Sequence, residues 1–191
     1  GLSEEPSRSN SPKFRRGYGN LIGLVASVVL LLLAGHAYFD YATDDSFISF
    51  RYARNLAEGH GLVWNPGERL ESYSNFLWVI ILSLAYSLGL NIVFTAKVLG
   101  ILSGVGILIL SYYLARELGR PKVLPYLWIA PLLLAFNRDF LFWMGSGMET
   151  AFYALLILAS VRRYFAEIRT NDRKPISAVL FFLVAITRPE G

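Results

Sequence analysis

The sequence contains no cysteine and few charged residues. Without cysteine, the chain offers neither a disulfide nor a thiolate metal ligand, so any metal ion must be held by oxygen or imidazole groups. Only 17% of the 191 residues are charged, whereas 54% are hydrophobic, which is more apolar than an ordinary soluble domain needs. This balance predicts a membrane protein.

The formal net charge of +4 does not by itself indicate nucleic-acid binding. The basic residues flank long apolar blocks, and membrane orientation explains basic residues in such places. We therefore expect membrane lipids, and no nucleic acid, among the partners of this chain.

The apolar blocks are long enough to cross a bilayer as helices. The first block runs from Leu21 to Phe39 and follows three basic residues. It is longer than the apolar region of a cleavable signal peptide, so we interpret it as a retained span. Residues 1–19 are rich in Ser, Pro, Arg and Glu, which predicts a flexible cytoplasmic tail.

The number of spans follows from the distribution of basic residues. If all six blocks crossed, loop 162–174 would lie opposite the basic tail, against the positive-inside tendency. The alternative is that block 76–88, which covers only about 20 Å of a roughly 30 Å core, lies in the outer interface. The inside would then hold twelve of the 18 Lys and Arg. We therefore predict five spans, at about residues 20–39, 92–115, 123–136, 149–166 and 176–187.

The predicted fold class is an all-α polytopic membrane protein. A bundle of transmembrane helices would carry a first outer loop, residues 40–91, with short interfacial helices. In this topology segments 137–148 and 187–191 emerge on the same outer face as that loop. The acidic side chains expected to meet there are Asp44, Asp45, Glu149 and Glu190.

Asp44 and Asp45 precede an amphipathic helix in the first outer loop. Two adjacent carboxylates just beyond a span can act as a general base or bind a cation, and a partly dry site would raise the pKa of such groups. Acidic residues also suit the positive N-terminus of a helix, so a simple cap is the alternative. The same alternative applies to Glu149, which begins a later span.

Arg51 and Arg54 are three residues apart and share one face of the same predicted helix. On that face they can bind a phosphate, pair with Glu58 or contact lipid headgroups. The sequence Gly-His-Gly that follows Glu58 predicts the end of the helix.

The aromatic residues of the first outer loop have two interpretations. They can stack against sugar rings, or they can form the aromatic belt that is common at membrane interfaces. The residues concerned are Trp64, Tyr73 and Trp78.

Taken in order, these motifs resemble a known family. The Asp-Asp pair is followed by Asn-Leu-Ala-Glu-Gly-His-Gly-Leu-Val-Trp-Asn-Pro-Gly-Glu and Ser-Tyr-Ser-Asn-Phe-Leu-Trp, and later by Gly-Met-Glu-Thr and Thr-Arg-Pro-Glu-Gly. This order resembles the GT-C superfamily of membrane glycosyltransferases, particularly its arabinofuranosyltransferase-like and protein-mannosyltransferase-like branches. The resemblance runs from about residue 20 to the end, and the first-loop block is its most specific part.

The resemblance implies an enzyme of the plasma (inner) membrane that works at the extracytoplasmic face. Such an enzyme transfers a sugar, with inversion, from a polyprenyl-phosphate carrier to a hydroxyl of a glycan, lipid or protein acceptor. The resemblance implies a catalytic carboxylate at Asp44 or Asp45. It further implies Asp45 and Glu149 as ligands of a divalent cation, Mg²⁺ or Mn²⁺, although many relatives have Asp at the position of Glu149.

A departing lipid phosphate needs positive charge for its stabilisation. The donor phosphate-binding candidates are Arg51, Arg54 and Arg188. The candidates for contact with acceptor or sugar are Tyr52, His60, Trp64, Tyr73 and Asn75.

Two other function classes stay open at this point. A transporter or lipid-binding protein would place ionisable residues deep within its spans, where only Lys97 qualifies. A non-catalytic scaffold would use the outer loop to bind a partner. GT-C enzymes usually have further spans and often a C-terminal extracytoplasmic domain. Since the chain starts at Gly1 without methionine and stops just after an apolar stretch, we expect an N-terminal part that is inactive alone.

Overall fold

In the computed structural model, the described residues are 12–68, 72–119, 122, 124–170 and 174–189, and every regular element in these ranges is a helix. A short 3-10 turn, Leu124–Tyr126, precedes the fifth α-helix. The α-helices are α1 (Pro12–His36), α2 (Asp44–Ala57), α3 (Phe76–Ser87), α4 (Ile92–Leu118), α5 (Ile129–Phe136), α6 (Arg138–Gly145), α7 (Thr150–Thr170) and α8 (Ile176–Thr187).

Two helices are long and apolar enough to cross a membrane. They are α4 and the part of α1 from Tyr18 to His36. Segment Leu124–Phe136 and α6 form a pair bent by 63°, which makes a third candidate if the pair counts as one span. Helices α3 and α8 are apolar but have only 12 residues each. The structure thus confirms a helical protein with membrane-spanning candidates, while the count of five spans stays a prediction.

The first helix begins earlier than the sequence pattern predicts. It starts at Pro12, within the segment 1–19 that was expected to be a flexible tail. Proline suits the first turn of a helix, and the long apolar block that follows continues the same helix. The helix therefore begins at Pro12, the candidate span within it begins at Tyr18, close to the predicted residue 20, and residues 1–11 are outside the described ranges.

The long helices run back and forth through the bundle, which gives it two ends. At one end the amide of Asn20 donates to the carbonyl of Leu124 at 2.7 Å. Glu117, near the end of α4, accepts hydrogen bonds from Arg162 and Arg169 at 2.6 and 3.1 Å. We call this the basic end. The end of α4 and the later part of α7 therefore meet here, and the loops that follow them are those that the topology predicts to share a side.

The opposite end, which we call the site end, contains α2, α3 and the ends of α1, α6 and α8. The backbone N–H of Thr43 donates to the carbonyl of Ser146 at 3.2 Å. The indole N–H of Trp78 donates to the carbonyl of Gly147 at 3.3 Å. The first loop and the turn after α6 therefore lie together, as the topology predicts.

Two apolar clusters hold the bundle. One cluster joins α2 and α3 to the first turns of α4, and its buried side chains include Phe50, Trp78 and Leu82. The other cluster joins α1, α4, α6 and α7 around Leu31 and Met144. The buried residues of α2 recur three to four positions apart, as expected for a helix that buries one face. Helix α2 is therefore fixed against α3 and α4.

Lys97 is a buried lysine near the start of α4, with 5% of its surface exposed. Its ammonium group donates to the backbone carbonyls of Phe39, Tyr41 and Gly145. Carbonyls in the segment after a helix or in its last turn lack partners within that helix, and the ammonium satisfies them here. Lys97 therefore ties the segment after α1 and the end of α6 to α4, which is a structural role.

Glycines allow α6 to approach α1 and α4 closely. A Cβ atom on Gly100 would lie 2.1 Å from the carbonyl oxygen of Met144, and one on Gly104 would lie 2.4 Å from its Sδ atom. A Cβ atom on Gly35 would lie 2.6 Å from the Cε atom of the same methionine. Small residues permit such close helix contacts in membranes.

We expect Gly100→Ala to destabilise the protein by about 2 kcal/mol, because the clash is with a backbone atom that cannot rotate away. Gly19→Ala is the matched control, since a Cβ atom there meets nothing within 4 Å. The control should leave stability unchanged or raise it by up to about 1 kcal/mol. Unfolding in detergent measures both, and equal stability of the two variants would contradict this packing.

Candidate functional site

The candidate site lies at the first turn of α2. The helix begins after Thr43, whose carbonyl accepts the N–H of Ser46 at 3.0 Å and its hydroxyl at 2.6 Å. Asp44 and Asp45 occupy the first turn and are exposed. Because Thr43 is the N-cap residue, the two carboxylates are not caps, although the positive end of the helix dipole stabilises them.

The turn between α6 and α7 packs directly on this part of α2. Gly147 has φ +85°, a conformation that favours glycine. A Cβ atom on Gly147 would lie 3.0 Å from the ring of Phe50 and 3.5 Å from the side chain of Ser46. The turn and the first two turns of α2 therefore form one surface, with Asp44 and Asp45 at its edge.

Glu149 is buried in a polar network behind this surface, with only 1% of its area exposed. Its Oε1 atom accepts a hydrogen bond from Nε of Arg188 at 2.7 Å, and its Oε2 atom accepts one from the amide of Asn75 at 2.6 Å. The amide of Asn75 also donates to the hydroxyl of Ser49 at 2.8 Å. The network thus links α2, the start of α3, the start of α7 and the end of α8.

The backbone of Glu149 begins α7, because its carbonyl accepts the N–H of Tyr153 at 2.7 Å. The guanidinium group of Arg188 lies 5.6 Å from the centre of the Tyr153 ring. A buried carboxylate needs a charged or hydrogen-bonding partner, and Arg188 supplies the charge. The guanidinium group of Arg188 therefore pairs with Glu149 and not with Asp44.

The predicted metal pair of Asp45 and Glu149 does not fit this arrangement. Both oxygens of Glu149 already accept hydrogen bonds, and one donor is the positive guanidinium of Arg188. Asp45 lies exposed on α2 instead. Among the described residues there is no group of three or more His, Cys, Asp and Glu side chains that could hold a metal ion. A divalent cation at Asp45 and Glu149 stays a prediction.

Arg51 is held by the loop that follows α2. Its Nε atom donates to the carbonyl of Trp64 at 2.8 Å, and Nη2 donates to the Oδ1 atom of Asn65 at 2.5 Å. Its guanidinium group also lies 4.4 Å from the centre of the Trp64 ring. These contacts orient the positive charge on the accessible side of α2.

Arg54 forms an ion pair with Glu58, one helical turn later, at 2.8 Å. The hydrogen bond from Arg54 holds the pKa of the Glu58 carboxyl below its ordinary value. The hydroxyl of Tyr86, on α3, donates to the same Glu58 oxygen at 3.2 Å. The helix ends at Ala57, and Gly59, with φ +83°, follows the C-cap residue Glu58, where the sequence predicts the end of the helix.

Both arginines line an open cleft of about 610 Å³. It lies between α2, the end of α3 and the start of α4. The polar lining consists of Arg51, Arg54, Asn55, Glu58, Tyr86 and Asn91, and the apolar lining consists of Phe47, Phe50, Ile92 and Val93.

Two of the predicted sugar-contact residues belong to the core. Tyr52 is fully buried, with its hydroxyl accepting the N–H of Ser72 at 3.1 Å and its ring 4.7 Å from that of Tyr73. Asn75 is 4% exposed and serves the Glu149 network. Both side chains make hydrogen bonds within the protein, so the contact of Tyr52 and Asn75 with acceptor or sugar stays a prediction that this packing does not favour.

The other predicted contact residues lie nearer the surface. His60 is exposed, with its Nδ1 atom 3.8 Å from a Glu58 oxygen. Trp64 and Tyr73 are half-buried, and Trp64 lies beneath Arg51. Trp78, the third aromatic candidate for stacking, is fully buried. Glu190 lies outside the described residues, so its expected position near the other acidic side chains of the outer face stays a prediction.

Ser49 was not predicted from the sequence, and Arg188, which was expected at the donor phosphate, pairs with Glu149 in the structure. Ser49 is a small polar residue on the buried face of α2, which is a weak signal. Arg188 follows one apolar block and Glu149 precedes another at the same end of the bundle. Their opposite charges were the signal that could have predicted the pair.

Comparison with protein-family models, curated proteins and solved structures finds no match for this chain.

We expect Glu149→Gln to destabilise the protein by about 3 kcal/mol, because the guanidinium of Arg188 loses its counter-charge. Arg188→Met should destabilise it at least as much, since Glu149 is the more buried partner. The double variant Glu149→Gln/Arg188→Met should be more stable than the sum of the two losses predicts. Thermal unfolding of the four proteins in detergent measures this coupling, and strictly additive losses would contradict it.

Proposed function

We propose that this chain is part of a GT-C-type membrane glycosyltransferase. The enzyme moves a sugar from a polyprenyl-phosphate-linked donor to an acceptor hydroxyl at the extracytoplasmic face. The observation that carries the proposal is the exposed Asp44–Asp45 pair in the first turn of α2, the helix whose residues Arg51 and Arg54 line a cleft. The order of motifs in the sequence supplies the family resemblance.

Asp44 is the better candidate for the general base. On a helix, residues seven positions apart lie on the same face, so Asp44 shares the face of Arg51, roughly 10 Å away along the axis. Asp45 is rotated by about 100° from that face. A sugar bound between Asp44 and the arginines would therefore have a base on one side and positive charge on the other.

The proposed reaction is a direct displacement at the anomeric carbon. The acceptor oxygen forms a bond to that carbon while its proton passes to the carboxylate of Asp44. The bond between the anomeric carbon and the phosphate oxygen breaks, and the lipid phosphate leaves with the electron pair. Arg51 and Arg54 stabilise the charge that develops on the phosphate. Attack opposite the leaving group inverts the anomeric configuration.

We also propose five crossings of the plasma (inner) membrane, with the site end outside. The alternating direction of α1, α4, the α5–α6 pair, α7 and α8 supports this count, as does the concentration of basic residues at the other end. Lys97 does not favour a transporter, because backbone carbonyls at the site end satisfy its ammonium group.

We expect Asp44→Asn to lower sugar transfer by about 10²–10⁴-fold, because a general base is lost, and Asp45→Asn to lower it much less. The measurement is transfer of radiolabelled sugar from polyprenyl-phosphate donors by the full-length protein in membranes. Asp139→Asn is the matched control, since Asp139 is also an exposed carboxylate in the first turn of a helix.

Loss of transfer with normal expression and unfolding temperature would contradict a non-catalytic scaffold. Retained transfer in both single variants and in the double variant would remove these carboxylates from the reaction. No transfer by the wild type from any donor would contradict the proposed enzyme.

A further inference from the structure

Aromatic side chains meet where the segment after α1 contacts the end of α6. The ring centres of Tyr41 and Phe142 lie 4.9 Å apart, and those of Phe142 and Trp143 lie 5.3 Å apart. The ring of Tyr38 packs edge-on against Phe142 at 6.2 Å. The side chains of Tyr41 and Trp143 are 47% and 42% exposed. We call Tyr41, Phe142 and Trp143 the aromatic surface.

The two backbone segments that carry the aromatic surface are fixed to each other. The buried ammonium group of Lys97 donates to the carbonyl of Tyr41 and to that of Gly145, two residues after Trp143. A Cβ atom on Gly145 would lie 2.9 Å from the carbonyl oxygen of Tyr38, so the two segments are in direct contact. The rings are therefore held in place before a ligand binds, which lowers the entropic cost of binding.

The aromatic surface adjoins the proposed general base. Tyr41 precedes Asp44 by three residues, so their Cα atoms are at most about 11 Å apart. Trp143 precedes Ser146 by three residues, and the carbonyl of Ser146 accepts the N–H of Thr43, next to Asp44. A ligand that lies on the exposed rings therefore has Asp44 within its reach.

The segment that carries Tyr41 has formal charges of one sign. Residues 36–47 include Asp40, Asp44 and Asp45, all exposed, and neither lysine nor arginine. Negative charge disfavours an anionic lipid head group or an acidic peptide. Carboxylates accept hydrogen bonds from hydroxyl groups, and aromatic rings offer a flat apolar surface to the C–H face of a sugar. The combination favours a neutral ligand that is rich in hydroxyl groups.

We propose that the aromatic surface binds a neutral glycan chain and that the acceptor of this site is therefore a carbohydrate. Tyr41 and Trp143 stack on sugar rings, and Phe142 supports both of them. The carboxylate of Asp40 accepts hydrogen bonds from sugar hydroxyls. The end of the chain then presents its acceptor hydroxyl to Asp44.

This inference deepens the proposed function and rests on it, because it selects a glycan among the three acceptor classes. The accessible rings of the aromatic surface differ in burial from Tyr52 and Trp78, two other candidates for sugar contact, which are fully buried. An aromatic belt that only contacts lipid is the alternative, and it has no need of the neighbouring carboxylates.

The test measures equilibrium binding of soluble probes to the full-length protein in neutral detergent, without a sugar donor. The probes are linear hexasaccharides of mannose, glucose and arabinose, hexagalacturonate and a serine-rich peptide. We expect at least one neutral hexasaccharide to bind with a Kd below about 1 mM. Hexagalacturonate should bind at least tenfold more weakly than that probe, because its carboxylates meet those of Asp40 and Asp44.

Tyr41→Ala and Trp143→Ala should each weaken binding of the neutral hexasaccharide about fivefold, because each removes one stacking ring. Tyr41→Phe and Trp143→Phe keep a ring and should restore most of the affinity, which separates stacking from damage to the fold. Tyr126→Ala is the matched control, since Tyr126 is an exposed tyrosine (58%) at the basic end.

Absence of binding by all three neutral hexasaccharides would overturn the proposal, as would an equal effect of Tyr126→Ala and Tyr41→Ala. Tighter binding of the peptide than of any hexasaccharide would overturn it in favour of a protein acceptor. Repeating the measurement in phosphatidylcholine nanodiscs tests the aromatic belt. Loss of glycan binding there would show that lipid covers the rings and would also overturn the proposal.

The binding test and the transfer assay fail independently. Transfer that depends on Asp44 but not on Tyr41 or Trp143 would overturn this inference alone. Glycan binding that depends on Tyr41 and Trp143, without transfer from any donor, would overturn the proposed function alone.

Discussion

The buried carboxylate of Glu149 is the constraint on which the site end depends. A carboxylate with 1% of its area exposed is stable only when charged or hydrogen-bonding groups contact it. Arg188 and Asn75, from distant parts of the chain, make these contacts. Through Asn75 the network reaches Ser49 on α2. The helix that carries Asp44 is thereby tied to α3, α7 and α8, and its exposed face is free for ligands.

A second buried charge fixes the same end from the other side. The ammonium group of Lys97 donates hydrogen bonds to the backbone after α1 and at the end of α6. Met144 packs into the space left by glycines such as Gly100. The site end is thus a rigid platform built from satisfied buried charges. The reactive candidates, Asp44, Arg51 and Arg54, lie outside that platform on the accessible side of α2. The residues that hold the platform together are therefore different from the candidate reactive residues.

Local signals were predictable from the sequence, and distant pairings were not. Gly59 ends α2 as predicted, because a glycine with positive φ is a local requirement. Helix α6 was missed, because segment 137–148 was interpreted as an outer turn, whereas Asn137 caps a helix over Arg138–Gly145 by accepting the N–H of Phe140. Asn75 lies 74 residues from Glu149 in the sequence, so its burial depends on tertiary contacts that no local pattern contains.

Accessibility of single cysteines in intact cells tests most directly whether the site end faces outward. The chain has no native cysteine, so each introduced thiol gives an unambiguous signal. Exposed positions are available at Glu68 and Leu90 near the site end and at Lys122 and Thr170 near the basic end. Our account predicts that an impermeant thiol reagent labels positions 68 and 90 in intact cells, and positions 122 and 170 only after permeabilisation. Labelling of position 122 or 170 from outside would contradict it.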